Sequence, residues 1–205
     1  MSKAKIAVLV SGGGTNLQAL IDAQNSGLIT SGEITLVIAN NPEAYALTRA
    51  EKAGIAQAVV TKRLCGSQEA FEDKIKELIK AHSIDLIVLA GFMSILSENF
   101  TKDFPERILN VHPALIPSFC GKGYYGLRVH EEALKYGVKV SGATVHFVNE
   151  IPDGGKILLQ KAVEIQEGDT PEILQRRVME QAEWKILPAA TEMVSKNIVL
   201  IRQKG

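Results

Sequence analysis

A chain of 205 residues suits one domain, or at most two small ones, with room for a substantial core. Hydrophobic residues at 46% and charged residues at 22% describe an ordinary soluble globular protein, and Lys+Arg and Asp+Glu are both 23. That balance gives no sign of wholesale nucleic-acid or anionic-membrane binding, although a local basic pocket stays open.

Two cysteines, Cys65 and Cys120, without a CxxC pair argue against a disulfide framework or a zinc knuckle. No stretch reaches the ~18 apolar residues of a membrane helix. Met1 to Lys5 lead straight into a strand-length apolar run, with no signal-peptide core. A reduced, cytoplasmic protein without a metal is expected.

In chain order, Ile6–Val10 reads as a buried strand, Ser11 to Asn16 as a Gly-rich turn, and Leu17–Ala23 as an amphipathic helix. A second strand, Ile34–Ala39, ends at Asn40-Asn41-Pro42. A helix over Ala44–Ala53 is closed by Gly54. A third strand, Ala56–Val60, precedes a helix that starts near Ser67 and keeps apolar spacing through Phe71, Ile75, Leu78 and Ile79 to His82. Leu86–Ala90 is fully apolar, as a strand covered on both faces should be. A short helix from Ser97 to Phe104 precedes a fifth strand, Ile108–His112. Residues 113 to 127 are a Pro-, Gly- and Tyr-rich loop, followed by a helix over Val129–Tyr136.

Val140–Val148 and Lys156–Ile165 read as two more strands separated by only Asn149 to Gly155. A parallel crossover needs at least about 10–12 residues, so these two should form an antiparallel hairpin. Thr170-Pro171-Glu172 is a helix start, with a cap, a first-turn proline and an acid at the positive end. That helix is expected to run through Arg177 and Glu183 towards Pro188, and Ile198–Ile201 to form a last edge strand. The alternation predicts a single α/β domain over residues 1–205: a mostly parallel twisted sheet with helices on both faces and an antiparallel C-terminal hairpin.

Three places carry chemistry. Asn110 and His112 lie two apart on a strand and therefore point the same way, with Pro113 stopping the run at the sheet edge where ligands bind in open α/β sheets. A core histidine beside a capping asparagine is an equal reading of that stretch. The Gly12-Gly13-Gly14 turn fails the dinucleotide fingerprint, because Leu17 stands at the third glycine position and Asn40-Asn41 replace the acid after the second strand. It suits one phosphate held by backbone N–H groups at a helix start, or else a plain tight turn capped by Thr15 or Asn16. Asp153, between Pro152 and Gly154 on the hairpin loop, either raises and orients a nearby imidazole or forms an Asx turn.

Taken together, Ser11-Gly12-Gly13-Gly14-Thr15-Asn16, Leu89-Ala90-Gly91-Phe92-Met93, Asn110-Val111-His112-Pro113 and Val145-His146-Phe147-Val148 through Asp153-Gly154-Gly155 make the chain resemble the folate-dependent glycinamide ribonucleotide formyltransferases. The motifs fall in that family's order along nearly the whole length. The resemblance implies the formyltransferase fold and transfer of a formyl group from 10-formyltetrahydrofolate to glycinamide ribonucleotide in purine synthesis. It implies that Gly14, Thr15 and Asn16 hold the substrate phosphate and that Glu183 meets the glycinamide amine. It also implies a pterin pocket lined by Met93, Ser94, Ile95, Leu96, Asn149, Glu150, Ile151, Pro152 and Asp153 together with Asn110, and a catalytic trio of Asn110, His112 and Asp153. The partners implied are small molecules, with no nucleic acid or membrane and a monomeric or homodimeric state. The sequence departs from some members at Ser94 and Gln68, where they carry basic residues near the folate, and at Trp184, where histidine is frequent. Cys120 to Gly126 matches one sub-type of the substrate loop.

In the mechanism so implied, Asn110 and a His112 kept protonated by Asp153 donate to the oxygen of a tetrahedral intermediate. His146 is read as structural, His82 as meeting its helix dipole, His130 as solvated, and Cys120 as a loop residue. The rivals are a methionyl-tRNA formyltransferase or a formyltetrahydrofolate deformylase, which usually carry further domains, and a non-catalytic nucleotide-binding module.

Overall fold

A computed structural model describes residues 2–204. Seven strands form one sheet in the order β3-β2-β1-β4-β5-β6-β7. They are β1 (Ala4–Val10), β2 (Gly32–Ala39), β3 (Ala56–Val59), β4 (Leu86–Leu89), β5 (Ile108–His112), β6 (Val140–Phe147) and β7 (Ile157–Glu164). The first five are parallel; β6 runs antiparallel to β5, and β7 to β6. The expected parallel sheet and C-terminal hairpin are both present, with strand ends within two residues of those read from sequence.

Helices cover both faces. On one side, α1 (Thr15–Asn25), α2 (Tyr45–Lys52), α7 (Pro171–Val178) and α8 (Trp184–Lys204) bury Leu17, Leu20, Ala46, Leu174 and Leu187 with Ile6, Val8 and Val10 of β1. On the other, α4 (Gln68–Ala81) and α5 (Glu98–Lys102) bury Phe71, Ile75 and Phe100 with Ala7 and Leu9. The two-residue alternation of β1 thus feeds both cores, which is why a central strand reads as an unbroken apolar run. Caps fall where the side chains allow them: Ser67, Ser97 and Thr170 accept from the N–H three residues on. A one-turn α3 (Lys62–Cys65), capped by Thr61, was not foreseen. Among the described residues, no helix is long and apolar enough to cross a membrane.

Three expectations fail. Ile198–Ile201 is helix, not an edge strand, and Pro188 lies inside α8 rather than ending the preceding helix. The chain from Pro171 to Lys204 is one continuous helical path, with a π-type turn at Met179–Glu183. Pro188 costs a helical hydrogen bond. Ile186, Leu187, Ala190 and Val194 nevertheless bury an apolar face against the sheet on both sides of it, and packing outweighs propensity. Neither Thr15 nor Asn16 caps α1: Gly14 is the N-cap, in the left-handed conformation, with no side-chain bond.

A further failure is His130. On α6 (Leu127–Tyr136) it is fully buried, not solvated. It shares a helix face with Val129 and Ala133, and both ring nitrogens are buried without a protein partner. Burial, with His112 nearby, pushes its pKa down to about 4. Unfolded, the ring titrates near the usual ~6.5, so between these values the unfolded chain holds a proton that the native chain does not. Stability is therefore complete above about pH 6.5 and falls as pH drops towards 4, by on the order of 3 kcal/mol from this group. Urea unfolding across that range should show the fall, and His130→Phe should flatten it.

Candidate active site

The carboxyl ends of β1, β4 and β5 open into one cavity of about 780 Å³. Its walls include Asn16, Met93, Ser94, Ile95, Asn110, His112, His130, Asp153 and Glu183. The cavity lies beside β1, where successive connections leave the sheet on opposite faces, and such switch points are where open α/β sheets take ligands.

Ile108 belongs to the α4/α5 core, so Asn110 and His112, of the same parity, face that side beyond α5. β6 then brings in a group that was assigned elsewhere. Asn110 pairs with His146 and His112 with Thr144 across the antiparallel ladder, so all four side chains share a face. His146, read as structural, faces this row: its Nε2 lies 3.2 Å from Asn110 Nδ2 and 3.6 Å from Asp153 Oδ1. His146 Nδ1, 2.8 Å from the Phe147 carbonyl, must carry a hydrogen, which leaves Nε2 to accept from the Asn110 amide. Thr144 donates to the Ala114 carbonyl and accepts from Ile116 N–H, pinning the chain just after the strand.

Asp153 reaches this row from the hairpin loop. Ile151 N–H bonds the Asn149 side chain, Gly154 N–H bonds the Ile151 carbonyl, and Asp153 itself is left-handed (φ 55°). Gly155 has no room for a Cβ, which would lie 1.7 Å from the Phe147 carbonyl oxygen. The turn aims the carboxylate inward. Oδ2 accepts from Gly121 N–H at 2.8 Å and lies 3.5 Å from His112 Nδ1. The expected trio is therefore assembled, with His146 as a fourth member.

Electrostatics corrects the expected protonation state. Burial lowers the His112 pKa below its ordinary value, and the Asp153 charge and the Phe119 carbonyl, which pull the other way, do not recover it. His112 rests neutral near pH 7 rather than protonated. Its Nε2–H donates to the Phe119 carbonyl at 2.8 Å. Burial would raise the Asp153 carboxyl, but His146, His112 and the Gly121 N–H together hold it below the usual carboxylate range.

The glycine turn is shaped from behind. The Gly12 carbonyl accepts from Ala46 N–H, the Gly13 carbonyl from Arg49 Nε, and the Gly14 carbonyl from Gln18 N–H. In a trans peptide the C=O and the next N–H point opposite ways. With three carbonyls turned into α1 and α2, the N–H groups of Gly13, Gly14 and Thr15 turn outward, as an anion cradle requires. A Cβ on Gly14 would lie 2.7 Å from that of Ala46, so this close approach needs glycine. Arg49, which sequence reading did not single out, brings a positive charge to the turn.

Asn16 sends its side chain, buried with 8% exposure, to Glu183 Oε2 at 2.6 Å; its own Oδ1 is buried without a partner. Burial pushes the Glu183 carboxyl up to about 7 against the opposing pull of that hydrogen bond. On the far side of Asn110, Ser94, Ile95, Leu96, Asn149, Glu150, Ile151 and Pro152 close around a second recess with Leu89, Phe92 and Val148. The residues assigned to the pterin pocket thus meet one another; Met93 lies on the larger cavity, 54% exposed. Thr15 faces an adjoining groove with Arg49 and Trp184 rather than the main cavity.

The chain is similar to known proteins over most of its length. A family model described as formyl transferase matches residues 4–191. The phosphoribosylglycinamide formyltransferase of Haemophilus influenzae is 45% identical over 184 residues, covering 90% of this chain and 84% of that protein. The trifunctional purine biosynthetic protein adenosine-3 of Homo sapiens is 43% identical over 203 residues, 99% of this chain. This chain spans only 19% of that relative, about a fifth of its length. The crystal structure of glycinamide ribonucleotide transformylase 1 from Symbiobacterium toebii superposes with a TM-score of 0.89 at 40% identity, over 95% of this chain and 89% of that one. On the family match and these identities, the chain belongs to the formyl transferase family.

Proposed function

We propose that this chain transfers the formyl group of 10-formyltetrahydrofolate to the amine of glycinamide ribonucleotide, giving formylglycinamide ribonucleotide and tetrahydrofolate in purine biosynthesis. The observation that carries the proposal is the single cavity joining Asn110, His112 and Asp153 to the Asn16–Glu183 pair, with the glycine turn at its side. The cradle at Gly13 to Thr15 takes the phosphate, Glu183 takes the amine end, and the recess between 94–96 and 149–152 takes the pterin. The recess fits such a ring: Leu89, Phe92, Ile95, Leu96 and Val148 are apolar, while the loop backbone offers polar edges.

The amine nitrogen attacks the formyl carbon, a C–N bond forms, and negative charge collects on the formyl oxygen. The second N–H of the Asn110 amide is the donor for that oxygen. The attacking nitrogen must shed a proton and the departing folate nitrogen must gain one. A neutral His112 is suited to take the proton from the attacking nitrogen, and Asp153, 3.5 Å from Nδ1, stabilises the resulting imidazolium. The same proton passes to the folate nitrogen as its bond to the formyl carbon breaks and the formyl C=O re-forms. Glu183, whose pKa burial raises to about 7, can take the extra proton of an arriving ammonium and so leave the amine neutral for attack. His146 holds Asn110 in its donor orientation.

Formyl transfer measured with the two substrates should give formylglycinamide ribonucleotide. Formate released with water alone would indicate a deformylase, and binding without turnover a nucleotide-binding module. Asp153→Asn should lower kcat by about 10²–10³-fold, the scale of one lost charge-stabilising group, with little change in Tm. His112→Ala should abolish turnover yet bind glycinamide ribonucleotide within about twofold of wild type by calorimetry, because the phosphate cradle is built from other residues.

A further inference from the structure

The folate-side wall of the cavity is the segment from Gly91 to Ser97, which has neither helix nor strand of its own. It is held from outside, residue by residue. Met93 N–H donates to Ser11 Oγ at 2.8 Å, and Ser94 Oγ accepts from Asn40 Nδ2 at 2.8 Å. The next two attachments come from α4. Gln68 Nε2 donates to the Ile95 carbonyl at 3.1 Å and to Glu72 Oε1 at 2.6 Å. Glu72, one turn later on the same face and only 4% exposed, also accepts from Ser97 N–H at 2.7 Å and, through Oε2, from Ser97 Oγ. Both acceptors around the Gln68 amide are oxygens, so its nitrogen, not its carbonyl, must sit there.

A carboxylate taken out of water is tolerated only while its oxygens are satisfied. The groups that satisfy Glu72 are the Gln68 amide and the Ser97 end of the wall. Any shift of that end leaves a buried charge short of partners, so Glu72 resists it. Gln68 extends the same anchor to Ile95, the 67% exposed residue at the lip of the recess. Ser97 meanwhile accepts from Phe100 N–H and starts α5, so wall, helix start and α4 are tied at one point.

We propose that Gln68, anchored on Glu72, is a positioning residue that sets the height of the Ile95 wall and so the affinity for the folate ring. This rests on the reading of the recess as the folate site. Gln68 stands where the resemblance places a basic residue near the folate's glutamate tail, yet here its donor is turned inward onto the wall. Its effect belongs to the ring end of the ligand and is independent of the tail.

The test uses half-buried Gln68, whose replacement spares the core. Tetrahydrofolate in mono- and triglutamate forms, and separately glycinamide ribonucleotide, are titrated calorimetrically into wild type, Gln68→Leu and Gln68→Lys, with KM measured for both substrates. Gln68→Leu should weaken both tetrahydrofolates equally, by roughly 3–10-fold for the lost donor, and leave glycinamide ribonucleotide within twofold. Gln68→Lys, which restores a donor of sufficient reach, should recover most of the loss. Unchanged tetrahydrofolate affinity in Gln68→Leu overturns the proposal. So does a loss confined to the triglutamate form, which would mark a tail contact, or an equal loss for both substrates with a lowered Tm, which would mark a purely structural role. Wild type that fails to bind tetrahydrofolate at all overturns the folate reading of the recess instead.

Discussion

The Asp153 carboxylate sits between two imidazoles and one backbone N–H, and its three partners come from three separate segments: a strand end, the neighbouring strand and a loop. His112 ends β5, His146 lies near the end of β6, and Gly121 belongs to the long loop after β5. A carboxylate this enclosed must be compensated, and the compensation fixes where the hairpin loop and the 113–126 loop meet. Break the contact and three segments lose their common reference. The rest of the site is built outward from it: His146 bonds Asn110, and the apolar recess of Leu89, Phe92, Ile95, Leu96 and Val148 is closed by the same loop.

Two opposing effects meet at His112. Burial favours the neutral ring, and the nearby carboxylate favours the cation. Burial is the larger, so the ring rests able to take up a proton while a stabilising charge waits at 3.5 Å. A fully solvated histidine would have no such compensation on protonation. One held permanently as a cation could not accept the proton that the proposed amine attack releases. The same competition is settled the other way at Asp153, where the two neighbouring histidines and the Gly121 N–H together outweigh burial. Both groups shift downward, so the imidazole rests neutral while the carboxylate stays charged.

The fold was largely readable because its signals are local. Leu86–Leu89 and Ile108–Leu109 are apolar without interruption, as strands with two covered faces must be, and the short span between Phe147 and Ile157 forced a hairpin. That Asn110 and His112 point the same way was readable from their shared parity; their grouping with Asp153 was implied by the family resemblance, not by spacing. What was not readable depended on pairing or packing between distant residues. His146 enters the site through antiparallel register with Asn110, which no single strand announces. Ile198–Ile201 has strand-like composition but inherits its helix from the buried face of residues 186–194. His130 was legible in principle, since it keeps helical spacing with Ala133, although Arg128, Glu131 and Glu132 surround it in sequence. The attachment of Gln68 and Glu72 to the 95–97 wall joins segments about 25 residues apart, and nothing in either stretch alone points to the other.

The direct probe of this arrangement is the His112 imidazole itself, titrated by NMR in wild type and in Asp153→Asn. The account predicts a pKa below the usual ~6.5 in wild type and a further fall when the carboxylate is removed, because burial then acts unopposed. A His112 pKa that stays the same or rises in Asp153→Asn would contradict it, because the carboxylate would then exert no stabilising pull on the ring.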